Sequence, residues 1–249
     1  MNALKYAEWA SHYDPENKEM QLLRAHGISF EHKDILEIGS GTGRFSGKIL
    51  PHCNKLVCID PDENAMSVLN STLSDSRLEA HTTTLEKMIL NKDSFDYVVF
   101  PWSLYLINNQ SEVLRIAKSC LKPHGKIVVL QALSGEYETE AANLYARYKP
   151  LSAYSDACSL LPPLIESIFG NVSTDRLFTF FEFDSIEQVV ECSLFFVEDE
   201  EGETPSNERT DSFMRRLHDY VEQNGKVILS DEVLLIIAEK RCEQCLTEN

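Results

Sequence analysis

Short apolar runs alternate with amphipathic stretches through the middle of the chain. Between residues 34 and 131, runs such as 56–59 are wholly apolar, whereas the stretches between them place apolar residues three or four positions apart. The runs predict strands and the stretches predict helices. The predicted strands are 35–38, 55–59, 78–82, 95–100 and 125–131, and the predicted helices are 43–50, 62–72, 84–90 and 110–120. Such alternation is typical of a doubly wound, mostly parallel sheet.

Helical and extended segments continue on both sides of this core. Residues 2–26 carry apolar and aromatic side chains at helical spacing, and Asp14-Pro15 divides them into two helices. After residue 131 the pattern predicts helices at 136–148, 161–169, 186–196 and 210–223, and strands at 176–183 and 233–239. We therefore predict an α/β, Rossmann-like fold. Its seven-stranded, mostly parallel sheet carries an N-terminal helical cap and a helical insert after the fifth strand.

Three glycines occupy alternate positions directly after the first predicted strand. Gly39, Gly41 and Gly43 lead into a predicted helix, whose first N–H groups are unpaired and whose dipole is positive at that end. The second predicted strand ends at Asp60. In an open α/β sheet this strand tip lies beside the first loop, where a carboxylate can hold the two hydroxyls of a ribose. The order of these residues predicts a cofactor that contains a nucleoside.

The glycine spacing separates two kinds of nucleoside cofactor. The dinucleotide fingerprint G-x-G-x-x-G requires a third glycine where this chain has Arg44 or Ser46, so a nicotinamide dehydrogenase does not fit. Glu37 stands two residues before the first glycine and would repel a pyrophosphate. S-adenosylmethionine has a sulfonium, an ammonium group and a ribose but no phosphate. The spacing therefore favours S-adenosylmethionine.

The same residues resemble a known family. Residues 34–50 resemble the first motif of the class I S-adenosylmethionine-dependent methyltransferases, and Asp60 resembles their ribose-binding acid. Residues 94–107 resemble the fourth strand with the segment after it, and 121–130 resemble the turn and fifth strand. The likeness is looser elsewhere, although 233–240 resembles the seventh strand. It implies a methyltransferase of the small-molecule type, with S-adenosyl-L-methionine as its cofactor.

The resemblance also implies a division of the chain and a set of cofactor-binding residues. The division is one methyltransferase domain over 1–249, with a helical lid at 1–30, a cofactor-binding core at 34–131, a substrate-side insert at 132–175 and C-terminal strands and helices at 176–240. The cofactor-binding residues are Glu37, Gly39, Ser40, Gly41, Thr42, Gly43, Asp60, Pro61, Thr84, Leu85, Glu86, Phe100 and Trp102. Glu37 could instead cap the loop, the segment from Thr84 could N-cap the next helix, and Trp102 could be a core residue.

Aromatic residues are the candidates for the acceptor side of the site. Tyr6, Trp9 and Tyr13 fall within two helical turns, and they would form either a lid over the site or packing against the sheet edge. Tyr105 follows the fourth predicted strand, and Tyr148 belongs to the insert. We predict that these five residues bind the substrate.

Methyl transfer is an in-line displacement that asks a protein mainly for alignment and exclusion of water. An amine acceptor must only be neutral, whereas an alcohol or phenol needs a base. The candidates for a catalytic group are His12, Tyr13 and Tyr105, and none is a strong one. We therefore prefer N-methylation of an amine. O-methylation of a small acid or phenol is the alternative. A further hypothesis, outside the enzymes, is a partner subunit that binds S-adenosylmethionine without transferring its methyl group.

Composition limits which binding partners and which cellular compartment we expect. The net charge of −17 favours a cationic acceptor and disfavours nucleic acid. No apolar run approaches the ~20 residues of a membrane span, and the N-terminal sequence lacks a signal-peptide pattern. Seven scattered cysteines suggest a reducing compartment, so we expect a cytoplasmic protein. Cys242 and Cys245 lack the further ligands of a zinc site, and we expect no metal; the oligomeric state is not indicated.

Overall fold

A seven-stranded sheet forms the centre of the molecule. The computed structural model describes residues 3–132, 152–193 and 226–241. The strands are β1 (Asp34–Ile38), β2 (Lys55–Asp60), β3 (Leu78–Thr82), β4 (Phe95–Pro101), β5 (Leu121–Ala132), β6 (Val172–Phe183) and β7 (Val227–Glu239). Their order is β3-β2-β1-β4-β5-β7-β6, and β7 is antiparallel to both of its neighbours. The predicted fold class, a mostly parallel seven-stranded sheet, is confirmed.

Helices cover both faces of this sheet. They are α1 (Ala3–Ser11), α2 (Lys18–Ala25), α3 (Arg44–Ile49), α4 (Glu63–Thr72), α5 (Gln110–Cys120), α6 (Ser152–Phe169) and α7 (Ile186–Ser193). Within the described part of the chain, none of them is both long and apolar enough to cross a bilayer. The helix predicted over 84–90 is wrong: only one 3-10 turn, Leu85–Lys87, forms there, and the apolar Ile89 beyond it is 98% exposed. The predicted helices 136–148 and 210–223 lie outside the described residues.

The central strands are buried on both faces, which explains why they read as continuous apolar runs. On one face the core contains Ile35, Val99 and Leu235, and on the other it contains Val98 and Ile236. These side chains fix the sheet between two helical layers. The carboxyl ends of the parallel strands are thereby held at one edge, where ligands bind in folds of this kind.

Three strands are longer than their apolar runs predict. β5 begins at Leu121, which pairs with Phe95 before a register shift, and the regular ladder resumes at Lys126. β6 and β7 form a long antiparallel ladder from Val172 to Phe183. Their additional residues are largely polar, so the hydrophobic pattern did not mark them as strand.

The connection between α1 and α2 attaches the N-terminal cap to the sheet. The Asp14 N–H donates to the carbonyl of Phe180 at 2.9 Å, and the Glu182 N–H donates to the carbonyl of His12 at 3.0 Å. Tyr13 forms an isolated antiparallel bridge with Phe181 between these two bonds. The helix break predicted at Asp14-Pro15 is therefore also a short strand-like addition to the edge of β6.

Candidate functional site

A cavity of about 580 Å³ opens at the carboxyl ends of the parallel strands. Its walls come from the glycine loop after β1, the tip of β2, the turn at 83–86, the segment 101–109 after β4, and α1. A volume of this size suits a nucleoside-sized ligand. The structure thus brings together segments that the sequence placed at one edge of the sheet.

The three positions of the loop are occupied by glycine for different structural reasons. All three have positive φ, at +74° for Gly39, +54° for Gly41 and +92° for Gly43. A Cβ on Gly39 would lie 2.2 Å from Cβ of Ser103, and one on Gly43 would lie 3.1 Å from Leu73 Cδ1. A Cβ on Gly41 would meet no atom within 4 Å. Packing therefore requires the outer two glycines, whereas the middle one borders open space in the cavity wall.

Asp60 is held at the tip of β2 by two backbone donors. The Gly41 N–H donates to its Oδ2 at 2.9 Å, and the Asp62 N–H donates to its Oδ1 at 2.9 Å. Burial raises the pKa of the Asp60 carboxyl, and these two hydrogen bonds oppose that shift. Asp62 in turn caps α4 by accepting from the N–H of Ala65. The predicted ribose-binding acid thus lies in the cavity wall, tied to the glycine loop.

Glu37 lies behind the loop rather than in the cavity wall. Its side chain is fully buried, and its Oε2 accepts from Sγ of Cys58 at 3.6 Å. Its Oε1 has no hydrogen-bond partner among the described residues. Burial raises the pKa of Glu37 to about 7, against the hydrogen bonds from Ser46 and Cys58. Its contribution to cofactor binding stays a prediction.

The segments after β3 and β4 supply the opposite wall. Thr84, Leu85 and Glu86 line the cavity, and the Thr84 side chain makes no helix-capping hydrogen bond. Trp102 also lines it, although its φ is +62°. The Trp102 indole N–H donates to Glu19 Oε1 at 3.0 Å, and this hydrogen bond holds the ring in place.

Other predicted residues point elsewhere. Phe100, which was predicted to contact the cofactor, is fully buried in the core on one face of the sheet and does not line the cavity. Trp9 packs against Phe181 with ring centroids 4.7 Å apart, and His12 Nδ1 lies 2.9 Å from the carbonyl of Glu182. Neither Trp9, predicted to bind the substrate, nor His12, a candidate base, lines the cavity.

The remaining aromatic candidates differ in whether they line the cavity. Tyr6 lines the cavity from α1, whereas Tyr105 does not and Tyr148 lies outside the described residues. Tyr13 is 5% exposed and stands behind the wall, with its ring centroid 5.0 Å from that of Trp102. Of the three N-terminal aromatics, Tyr6 therefore faces the cavity, whereas Trp9 and Tyr13 pack against neighbouring rings.

An ionic network behind the cavity was not predicted. Arg44 lines the cavity, and its Nη1 lies 2.6 Å from Oε2 of the fully buried Glu19. Lys48 Nζ lies 2.9 Å from Asp14 Oδ2 and 3.4 Å from Glu19 Oε2. Burial acts to raise the pKa of Glu19, but Arg44 and Lys48 lower it overall. The only sequence signal was charge within amphipathic helices, which is ordinarily a solvated face.

This arrangement defines a Rossmann-like protein with a nucleoside-sized cavity at the carboxyl ends of its parallel strands. Residues 36–129 match the family described as "Methyltransferase domain". The chain therefore carries a methyltransferase domain over residues 36–129, which is less than half of its length. A comparison with curated proteins gives no match. Among the described residues, no group of three or more side chains could hold a metal ion.

Several solved structures share this fold. The YcgJ protein of Bacillus subtilis is 15% identical, with a TM-score of 0.60 over 89% of this chain and 97% of that one. Phosphoethanolamine N-methyltransferase 2 of Haemonchus contortus, solved with S-adenosyl-L-methionine, is 14% identical, with a TM-score of 0.58 over 90% of this chain and 53% of that one. The [4+2]-cyclase SpnF is 14% identical, with a TM-score of 0.56 over 90% and 82%. At these identities the likeness shows the fold alone.

Proposed function

We propose that this protein transfers the methyl group of S-adenosylmethionine to the nitrogen of a small-molecule amine. The observation that carries the proposal is the single cavity bounded by the glycine loop, Asp60 and Trp102. The cofactor supplies a methyl group already activated by a positive sulfur. The protein then has to orient the acceptor and exclude water.

The cofactor would lie along the wall built from the first two strands. Asp60 would accept from the ribose hydroxyls, because its two carboxylate oxygens are already fixed by backbone donors at 2.9 Å. The backbone around Gly41 leaves room for a ligand to lie against it. Thr84 to Glu86 and Pro61 would enclose the adenine, since they also line the cavity.

The residues that line the cavity favour nitrogen over oxygen as the methyl-accepting atom. Among the described residues that line the cavity there is no histidine, and three acids, Asp60, Asp62 and Glu86, are present. An amine needs to lose only a proton to become a nucleophile, whereas an alcohol or phenol requires a positioned base. The net charge of −17 would also concentrate cations and repel nucleic acid. A small cationic amine fits these conditions best.

O-methylation of a small acid is the second candidate, and Arg44 is the observation that favours it. Arg44 lines the cavity and could face a carboxylate. Its guanidinium is already paired with Glu19 at 2.6 Å, however, which leaves less charge for an acid. A cytoplasmic location is also proposed, since the described cysteines, Cys53, Cys58, Cys120 and Cys192, are free thiols.

Calorimetric titration with S-adenosylmethionine, S-adenosylhomocysteine and NADH tests the cofactor, and a product assay tests the acceptor. We expect binding of the first two compounds only. Formation of S-adenosylhomocysteine is then measured with a panel of primary amines and with carboxylic acids and phenols of the same carbon skeletons. Turnover confined to acids or phenols would mean that the acceptor atom is oxygen and not nitrogen. Cofactor binding without turnover of any acceptor would favour the partner-subunit reading.

A further inference from the structure

A buried carboxyl group stands at the cavity edge of β7. Asp231 is 4% exposed, and its Oδ2 has no hydrogen-bond partner among the described residues. β5 ends its pairing where Ala132 meets Val233, so Asp231 lies beyond the carboxyl end of β5. Its partner on β6 is Thr179, whose hydroxyl donates to Asp14 at 2.9 Å. Asp231 therefore lies at the edge of the sheet that carries the cavity.

Tyr13 connects this carboxyl group to the cavity wall. The Tyr13 hydroxyl is buried and has no hydrogen-bond partner among the described residues. Its ring contacts the edge of Trp102 at 5.0 Å and lies 4.8 Å below the Arg44 guanidinium, and both of those residues line the cavity. Burial raises the pKa of Tyr13, and the charges of Glu19 and Asp231 raise it further. Tyr13 therefore packs against two residues of the cavity wall and is close enough to Asp231 for the two groups to interact electrostatically.

The charges in this cluster do not balance. Its three carboxyl groups are Asp14, Glu19 and Asp231, and its two cations are Arg44 and Lys48. Arg44 pairs with Glu19, and Lys48 lies between Asp14 and Glu19. No ion pair of the described residues includes Asp231. A buried carboxylate without a cation is costly, so a cationic ligand would be stabilised here.

We propose that Asp231 and the Tyr13 hydroxyl form the subsite for the ammonium group of the acceptor, and that Asp231 takes its proton. This rests on the proposed function. The Trp102 ring lines the cavity and the Tyr13 ring packs against it, and aromatic faces stabilise cations. Burial raises the pKa of Asp231 to about 8, while the backbone of Glu232 and the charge of Arg44 act to lower it, so Asp231 is matched to proton exchange near neutral pH.

The proposed step conserves atoms and charge. One N–H bond of the ammonium group breaks and its proton passes to the Asp231 carboxylate. The freed lone pair forms the N–C bond to the methyl group as the C–S bond breaks, so the sulfonium becomes a thioether. The product leaves as a protonated methylamine, and Asp231 returns its proton to water.

Paired ligands that differ only in charge test the subsite. The affinities of n-butylamine and n-butanol, and of phenethylamine and phenethyl alcohol, are measured by calorimetry on protein saturated with S-adenosylhomocysteine. We expect at least one amine to bind about tenfold tighter than its alcohol. Asp231→Asn should remove most of this preference without changing the affinity for S-adenosylhomocysteine. The amide resembles the protonated acid in size and charge, so the variant should fold.

Glu232→Gln is the matched control. Glu232 is also fully buried, but as the next residue of β7 it faces the opposite side of the sheet, where Arg176 Nη1 lies 3.6 Å from it. This variant should keep the amine preference. An equal preference in wild type and Asp231→Asn, or none in wild type that binds S-adenosylhomocysteine, would overturn the subsite alone. Failure to bind S-adenosylhomocysteine would overturn the proposed function and the subsite together.

The pH dependence supplies a second readout. The charged groups that act on the Asp231 carboxyl are Glu19, Arg44 and the neighbouring Glu232, and Asp231 in turn acts on the Tyr13 hydroxyl. Amine affinity should rise from about pH 6 to about pH 9 in wild type, because the carboxylate becomes ionised while the amine stays charged. The rise should be absent in Asp231→Asn. A rise of the same size in that variant would assign the titration to another group.

Discussion

The two sides of the cavity are built in different ways. On the β1 and β2 side, the wall consists of backbone and short side chains from one stretch, 39–62, and its main contact joins the Gly41 N–H to Asp60. On the other side, buried charges are brought together from α2, α3 and β7, as in the pairing of Glu19 with Arg44. The first wall depends on local conformation and the second on tertiary packing. A local motif can therefore be read from sequence, whereas a site assembled from distant charges cannot.

The largest expected effect is on the backbone wall. In Gly41→Val a branched side chain would enter the open space that borders the cavity, and binding of S-adenosylmethionine should be lost. The backbone cost of a side chain at φ +54° is about 1–2 kcal/mol, which the fold should tolerate. Calorimetric titration measures the affinity, and thermal unfolding measures the stability.

Gly27→Val is a matched control for this change. Gly27 also has a positive φ, +70°, and no atom within 4 Å of its Cβ position, but it does not line the cavity. It should lose a similar amount of stability and keep its affinity. Undiminished binding by Gly41→Val would mean that the cofactor does not lie against this loop.

Removing Glu19 tests the packed wall. Glu19→Ala leaves Arg44 buried without its carboxylate, and breaking such a pair costs about 3–5 kcal/mol. Urea unfolding should show this loss. Arg77→Ala removes an exposed pair with Asp75 together with hydrogen bonds to the carbonyls of Pro51 and Cys53, and it should cost much less. Equal losses in the two variants would mean that the buried network is not the support of this wall.

Asp60→Ala should have a smaller effect, both on the cofactor and on the glycine loop that its carboxylate holds. The loss of a charged hydrogen bond to the ribose is expected to weaken S-adenosylmethionine by about 1–3 kcal/mol. Asp60→Asn, which keeps the shape and one acceptor oxygen, should fall between wild type and Asp60→Ala. Calorimetric titration of the three proteins gives the comparison. An unchanged dissociation constant in Asp60→Ala would place the ribose elsewhere.

The last expected effect is the pH dependence of stability, to which a buried acid behind each wall contributes. Burial raises the pKa of Glu37 to about 7 and that of Asp231 to about 8. Unfolded acids release their protons near their ordinary pKa values, whereas the folded protein keeps these two protons. The unfolding free energy should therefore fall as pH rises from about 4 to about 8.

Two variants separate the contributions of the two acids. Asp231→Asn should reduce the fall over the whole range, including the part above about pH 7, whereas Glu37→Gln should reduce it only up to about pH 7, as measured by urea unfolding. Wild-type stability that rises throughout the same range would contradict both assignments.

The parts of the molecule that sequence could predict are those with local causes. The core strands were found because they are buried on both faces, and the glycine loop and Asp60 because a short motif specifies their conformation. The polar half of β7 was missed, since Asp231 and Glu232 interrupt its apolar run. Phe100 and Trp9 were assigned to the site because sequence gives their position along an element but not the side that they face. The pairing of Arg44 with Glu19 depends on how α2 packs, which no pattern within α2 records.

The pairing of residues 12–14 with β6 has a consequence for handling the protein. β6 is an outer strand of the sheet, and an uncovered edge invites pairing with another chain. The backbone bonds at Phe180 and Glu182 cover part of that edge. A shortened chain that begins after Asp14 would uncover these groups next to Phe178, which is already 66% exposed. Trimming the N-terminus to improve expression would then promote aggregation, whereas a tag placed ahead of α1 would leave the edge protected.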